Sequence, residues 1–305
     1  MAEIKHISVH QSGFVNIIGR PNVGKSTLMN ALVGERMSII TAKPQTTRHR
    51  IIGILSGDDF QIVFSDTPGI IRQPTYKMQE VMNRFAQSAF EDADLMLFVT
   101  DVQEKYDADD KVIAQLSSFE GPKFLIINKT DIAQPEQIAE RIKWWNEQVA
   151  FTETIPIAAL HKHNTDKLLE LIRANLPEGP AYFPKDQLTD RPERFFVSEI
   201  IREKILELYH QEIPYATEVA IESFKEKQTG KGEPIVEIQA LIFVARETQK
   251  MIILGKKGSA IKKLGTEARK SIETWLESKV FLDLHVKVRE KWRDDERMLK
   301  YFGYE

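Results

Sequence analysis

The sequence predicts a mainly parallel α/β domain followed by a smaller α+β domain. Three observations carry this. Short apolar runs alternate with helical patterns through roughly the first 175 residues, which implies a parallel sheet covered on both faces. A proline-rich stretch without clear period then breaks the pattern. Beyond it, alternating strands and amphipathic helices follow in a different order. A chain of 305 residues is also long for one core, so two domains are the better starting point.

The elements can be taken in order. "FVNIIG" is an apolar run ending in glycine, and Lys25 to Gly34 reads as a helix. "RHRIIGILSGDDFQIVFSD" reads as two strands joined by "SGDD", giving one antiparallel pair. "DLMLFVTD", "KFLIINK" and the shorter "TIPIA" are runs of the kind that fill buried parallel strands. Pro135 to Val149 and Thr165 to Asn175 show helical periodicity. "NLPEGPAYFPKDQLTDRPER" has four prolines and reads as a linker. The expected boundaries are residues 1–178 for the first domain, 179–193 for the linker and 194–305 for the second, with a C-terminal helix. In the second domain Phe195 to His210 is amphipathic, with Ile200, Ile201, Ile205 and Leu208 at helical spacing. "TEVAIESFKEK", "PIVEIQALIFVAR" and "VFLDLHVKVR" alternate as strands, and Gly258 to Ser278 reads as a long helix. The expectation is a three-stranded sheet with helices on one side.

Composition excludes several classes. No stretch approaches the roughly 18 apolar residues that span a bilayer, and "MAEIKHISVH" lacks the apolar core of a signal peptide. Cysteine is absent, which removes disulfides and thiolate metal sites and suits a reducing cytoplasm. Net charge is −3, so bulk charge predicts no nucleic-acid partner. Its distribution matters more: Arg246 to Lys270 holds eight Lys/Arg against two Glu, while Asp101 to Asp110 is acidic, and such segregation can mark a partner surface.

"GRPNVGKST" spans Gly19, Arg20, Pro21, Asn22, Val23, Gly24, Lys25, Ser26 and Thr27. It fits the phosphate-loop pattern, and a strand precedes it and a helix follows. Backbone N–H groups and the helix N-terminus would supply donors to phosphates. Lys25 would reach the β- and γ-phosphates, and Ser26 could ligate Mg²⁺. "DTPG" (Asp66, Thr67, Pro68, Gly69) closes a later strand, placing Asp66 to hold Mg²⁺, directly or through water, and the Gly69 N–H for a γ-phosphate. "NKTD" (Asn128 to Asp131) ends another strand. A carboxylate there can accept from N1–H and N2–H₂ of guanine, a pattern adenine does not offer.

This set, in this order, resembles the translation-factor-type GTPases, and "GRPNVGKSTLMNALVG" with "QTTRHRIIGI" resembles the Era-like family. The similarity runs nearly end to end, through "YFP", "TDRPERF", "EIIREKI" and "WRDDERMLKYFGY". It implies an α/β P-loop GTPase domain followed by a KH domain of the bacterial type, type II. It implies a switch that binds GTP and GDP with Mg²⁺, hydrolyses GTP, and binds the 3′ end of 16S ribosomal RNA during assembly of the small subunit. Such proteins have been linked to the inner membrane, so the resemblance leaves peripheral association open. By the same resemblance "PQTTR" is the first switch, with Thr47 rather than Thr46 joining Mg²⁺ in the GTP state. Asn128, Lys129 and Asp131 carry over as base-binding residues. The fifth element normally reads Ser-Ala. Here Ala158 replaces the serine, and the Ala159 N–H would meet the base.

Ras-like enzymes place a glutamine after the second-switch glycine to orient water. Here that residue is Ile70, and no arginine has an obvious finger role. In related GTPases an asparagine at Asn22 helps bind K⁺ between the phosphates. The alternative is that Asn22 only shapes the loop.

"GKKG" (Gly255, Lys256, Lys257, Gly258) lacks nucleotide-loop spacing and matches the GXXG of KH domains, which clamps about four nucleotides of backbone. Lys262 and Lys263 follow on the next helix, Lys287 and Arg289 fall on one face of the last strand, and "LIFVAR" is expected to supply an apolar wall for bases. Single-stranded RNA is the expected ligand, because only unstacked bases expose their edges to such a groove. Trp144 and Trp145 read as packing residues, and His161 and His163 as loop residues. A P-loop kinase fits less well, because it should need a substrate-binding lid whereas "NKTD" and a KH domain need none; a membrane-remodelling GTPase fits less well because no long assembly helices are apparent. Intact Lys25, Ser26 and Asp66 argue against an RNA scaffold with a vestigial nucleotide site.

Overall fold

The computed structural model describes residues 10–71, 73–228, 230 and 232–304, so most of the N-terminal segment read against a signal peptide lies outside it. The chain divides into two compact units. Met1–Ser38, Thr47–Ile71 and Met82–Asp190 form the first; Ile39–Thr46, Arg72–Val81 and Arg191–Glu305 form the second.

The first unit is built on six strands: β1 (Gln11–Ile18), β2 (Ile51–Ser56), β3 (Phe60–Asp66), β4 (Leu95–Asp101), β5 (Lys123–Asn128) and β6 (Glu153–Pro156). Their order is β2-β3-β1-β4-β5-β6, with only β2 and β3 antiparallel. Every residue of β4 is buried, as a central strand covered on both faces requires. Helix α1 (Lys25–Val33) packs on β2, β3 and α5 (Thr165–Ala174). On the other face, α3 (Lys111–Ser118) and α4 (Pro135–Gln148) enclose Phe98 and the fully buried Trp145, whose rings lie 4.6 Å apart. Pro135 at the first helical turn and a Gln134–Gln137 capping box fix the start of α4. Helix α3 continues the alternation of strands and helices, and α2 (Lys77–Ser88) runs across the boundary between the two units at Val81 and Met82.

Parallel strands bring their C-terminal ends to one edge, where ligands of open α/β sheets bind. Register pairs Ile17 with Asp66 and Asp101 with Asn128 there. The proline-rich stretch has no helix or strand before residue 193, yet it is bonded to this unit. The Gln61 side chain accepts from the N–H of Tyr182 and of Phe183 and donates to the Phe183 carbonyl, and Ile54 N–H donates to Leu188 O.

In the second unit, α6 (Glu193–Leu208) is followed by β7 (Thr217–Gln228), β8 (Pro234–Val244), α7 (Glu247–Leu254), α8 (Ser259–Leu276), β9 (Lys279–Val288) and α9 (Glu296–Tyr301). The sheet order is β7-β8-β9, with β7/β8 antiparallel and β8/β9 parallel. The core joins Val197, Ile200, Ile201 and Ile205 of α6 to Ile238, Ala240 and Ile242 of β8 and Leu264, Ala268 and Ile272 of α8. Helices are not confined to one side. Phe302, just past α9, packs 5.1 Å from Phe243, which alternates away from that core. Tyr304 O–H donates to the buried Glu218 at 2.6 Å, and Trp292 Nε1–H donates to Ala216 O. Among the described residues no helix is long and apolar enough to cross a membrane.

Candidate functional site

The first loop runs from β1 into α1. Gly24 has φ +96°, and a Cβ there would sit 2.2 Å from Asn128 Nδ2, so a side chain is excluded both by backbone and by space. Asn22 also has a positive φ (67°) and is exposed. Asn tolerates this conformation better than most residues, so its presence has a backbone reason independent of any ligand. Val23 is buried and Thr27 half-buried. Arg20 leaves the loop entirely. Its guanidinium pairs with Glu104 (3.1 Å) and Asp110 (2.7 Å) and lies 3.8 Å over the Tyr106 ring. Partial burial works against its charge, but Glu104 and Asp110 outweigh it and raise its pKa.

Lys25 is buried, and its Nζ donates to Gly19 O (3.0 Å) and Arg20 O (2.9 Å). Burial lowers its pKa to about 8, with Asp66 and Glu104 pulling the other way. Asp66, fully buried, accepts from Ser26 Oγ at 2.6 Å through Oδ2. Thr47 Oγ1 lies 2.9 Å from Ser26 Oγ and 3.4 Å from the same Oδ2. Asp66 Oδ1 is buried with no partner among the described residues. Burial raises the Asp66 pKa, offset partly by Lys25. Two hydroxyls and a carboxylate with an orphaned oxygen form an all-oxygen donor set, which suits a hard cation such as Mg²⁺. Thr46 is turned elsewhere: its Oγ1 donates to Lys43 O (2.6 Å) and bonds Thr41. Thr67 Oγ1 donates to Ile17 O, and Pro68 is buried. A Cβ on Gly69 would meet Pro21 at 2.6 Å, so "DTPG" lies hard against the phosphate loop.

Asn128 is 3 % exposed and ties three segments together. Its Nδ2 donates to Val23 O (2.8 Å), and its Oδ1 accepts from Ala159 N–H (3.0 Å). The Ala159 N–H expected to meet a base is therefore engaged by Asn128, beside the buried Ala158. Lys129 has φ 61° and pairs with the buried Asp101 at 2.7 Å, a partner the sequence pattern did not show. Asp131 Oδ2 lies 3.5 Å from His161 Nε2.

In the second unit "GKKG" forms a tight turn between α7 and α8, with Lys257 at φ 51° and both lysines exposed. Lys262 and Lys263 are exposed on the first turns of α8. An open groove of about 320 Å³ lies beside them, lined by Ile261, Lys262, Gly265, Arg269, Leu282 and Leu284 among others. The apolar wall is therefore supplied by α8 and β9. "LIFVAR" does not supply it: Ile242 and Val244 are in the core, and Phe243 is covered by Phe302. Nor does the structure bring Lys287 and Arg289 to the groove. Alternation turns Lys287 to the face opposite Leu282 and Leu284, and Arg289, past the strand end, pairs with Asp295 at 3.5 Å. Arg269 on α8, which pairs with Glu273 at 2.8 Å, was not singled out in the sequence, because its place at the groove depends on how α8 packs against β9.

Comparison with known proteins bears on both units. A family model described as "50S ribosome-binding GTPase" matches residues 14–129, and a KH domain model matches residues 212–293. The GTPase Era of Geobacter metallireducens is 48% identical over 96% of this chain and 98% of its own length. The chain belongs to the Era family of GTPases. A crystal structure of Era from Aquifex aeolicus, bound to GDP·AlF4⁻, is 37% identical with TM-score 0.88, covering 96% of this chain and 99% of that one. Another, of Era in complex with MgGDPNP and nucleotides 1506–1542 of 16S ribosomal RNA, is 37% identical with TM-score 0.89, covering 97% and 99%. The P-loop domain with its mostly parallel sheet, followed by the KH domain, is thus the Era architecture.

Proposed function

We propose that the chain is a GTP-binding and GTP-hydrolysing switch. It would hold single-stranded RNA near the 3′ end of 16S ribosomal RNA through its KH domain, in assembly of the small ribosomal subunit. The observation that carries the enzymatic half is the buried, orphaned Asp66 Oδ1 beside the hydroxyls of Ser26 and Thr47. The RNA half is supported by the lysine-bearing "GKKG" turn beside an apolar groove, and by the relative solved with MgGDPNP and 16S ribosomal RNA.

Each residue then has a task. Backbone N–H groups from Gly19 to Thr27 and the N-terminus of α1 receive the phosphates. Lys25, already drawn to two loop carbonyls, exchanges them for β- and γ-phosphate oxygens. Ser26, Thr47 and Asp66 are the residues that would hold Mg²⁺, which would supply positive charge against the developing charge on the phosphates. Gly69 offers its N–H to the γ-phosphate. Asp131 reads guanine; Asn128 positions the loop of Ala158 and Ala159; and the Lys129 stem flanks the base. Lys256, Lys257, Lys262 and Lys263 meet RNA phosphates. Lys287 and Arg289 lie apart from the groove and would reach only a longer strand. The same reading places the chain in the cytoplasm, which its lack of cysteine suits, with any inner-membrane contact peripheral.

Hydrolysis has no side-chain water positioner at Ile70, and Arg20 is committed to Glu104 and Asp110. The exposed side chain of Asn22 is available to a K⁺ beside the phosphates, where a cation would act as an arginine finger does. Single-turnover GTP hydrolysis should be slow, and faster in KCl than in NaCl. Equal rates would remove K⁺ from the mechanism and leave Asn22 as a loop former. No hydrolysis in either salt would overturn the enzymatic reading.

A further inference from the structure

The acidic run Asp101–Asp110 lies wholly within the first unit. Its charge alone would suit a basic partner, but three of its five acids are turned to other work. Asp107 and Asp109 are exposed, whereas Asp101 is 3 % exposed and Glu104 and Asp110 are half-buried. Asp101 stands at the end of β4, opposite Asn128 in register. Its Oδ2 holds the Lys129 ammonium at 2.7 Å. Its Oδ1 accepts from the N–H groups of Gln103 (2.9 Å) and Glu104 (3.0 Å), so one carboxylate also shapes the turn that presents Glu104. Glu104 takes Arg20 Nη1 at 3.1 Å, and Asp110 Oδ2 takes Nη2 at 2.7 Å. Nη1 donates also to the Lys105 carbonyl. Asp110 is fixed in turn, because its Oδ1 accepts from Val112 N–H at the start of α3. The Tyr106 ring lies 3.8 Å under the guanidinium and 4.7 Å from the buried Trp145 ring.

We propose that this run is a clasp between base recognition and phosphate recognition, with Asp101 and Arg20 as its positioning residues. The inference rests on Lys129 flanking guanine in the GTPase reading. At one end Asp101 fixes the Lys129 ammonium and so sets where its apolar stem lies against the base. At the other end Arg20 fixes the first turn of the phosphate loop, where the Gly19 and Arg20 carbonyls cradle Lys25 Nζ. A planar guanidinium bonded to two carboxylates over an aromatic face cannot rotate without losing one of them. One direct bond already joins the two loops, from Asn128 Nδ2 to Val23 O. Two loops joined at one point can pivot about it. The second connection, through Asp101, Glu104 and Arg20, removes that freedom. Both loops are then ordered before the nucleotide arrives, which strengthens binding because less ordering remains to be done.

The test uses the full chain. Asp101→Asn keeps an oxygen for the two turn N–H groups and turns an amide donor toward the Lys129 ammonium. The Lys129 side chain is 33 % exposed, so its charge can reach water and the variant should fold. GDP should bind about tenfold more weakly, mostly through faster release, on the scale of coupled neighbours. Preference for GDP over inosine diphosphate should stay parental, since Asp131 still reads the N2 amino group. Amide hydrogens of residues 19–25 should exchange faster in the nucleotide-free protein, although Asp101 bonds none of them. In a Lys129→Met background the same substitution should cost less than about twofold, because the clasp is already open at that end. Parental GDP affinity, parental exchange at residues 19–25, or a loss that adds in full to that of Lys129→Met overturns the proposal. Glu104→Gln, at a half-buried site, opens the phosphate end alone should Asp101→Asn not fold. It should speed the same exchange and weaken GDP about threefold or more, and a parental value of either overturns the proposal. Asp131→Asn separates the two levels. If it keeps parental GDP affinity and base preference, the guanine reading fails. If it loses them while Asp101→Asn stays parental, only the clasp fails.

Discussion

Asp131→Asn should weaken GTP binding by roughly 10²- to 10⁴-fold, because two hydrogen bonds to a charged acceptor disappear at about 1.5–3 kcal/mol each. The amide would also turn a donor toward the N2–H₂ donor of guanine. Xanthine carries a carbonyl at that position, so the variant should bind xanthosine triphosphate better than the parent does. Competition titrations against a fluorescent GTP analogue read both effects. Unchanged GTP affinity would show that the base is read elsewhere, and would leave Asp131 as a partner of His161 alone. The fold should be indifferent, since Asp131 lies in an open turn after β5 rather than in the core.

Lys256→Glu with Lys257→Glu should cost the chain its RNA binding and leave GTP binding unchanged. Both side chains are exposed and stand outside the unit's apolar core. Reversing two charges at a backbone clamp turns attraction for phosphates into repulsion. The dependence of log affinity on log salt should also flatten, by about 0.7 for each single-strand phosphate that the protein no longer neutralises. Filter binding of a single-stranded RNA at several salt concentrations measures both. RNA affinity equal to that of the parent would move the RNA site away from the "GKKG" turn.

Much of this was legible because local rules decide it. The runs at β4 and β5 are apolar on both faces, as strands of a covered parallel sheet are. The phosphate loop was legible because its spacing is set by backbone geometry around phosphates, which sequence records directly. Long-range partners were not. Nothing near Arg20 in the chain announces Glu104 and Asp110, and nothing near Lys129 announces Asp101. Asn128 reads in sequence as a base contact, while its amide spans Val23 and Ala159. Helix α6 reads in sequence as amphipathic, and periodicity cannot tell a polar face in water from one covered by Ile39–Thr46. The same limit explains the RNA groove. Alternation showed that β9 has two faces, but which one meets α8 depends on packing, and it is the leucine face rather than that of Lys287.

The central claim is that one chain joins a nucleotide switch to an RNA clamp, so the nucleotide should control the RNA. The direct measurement is the affinity of the full chain for a single-stranded RNA of the 16S 3′ end, taken with Mg²⁺ and either GDPNP or GDP. Tighter binding with GDPNP, by about fivefold or more, is the size of effect that coupling between two sites produces. Equal affinity in both states would contradict the claim and leave two independent binding sites on one chain.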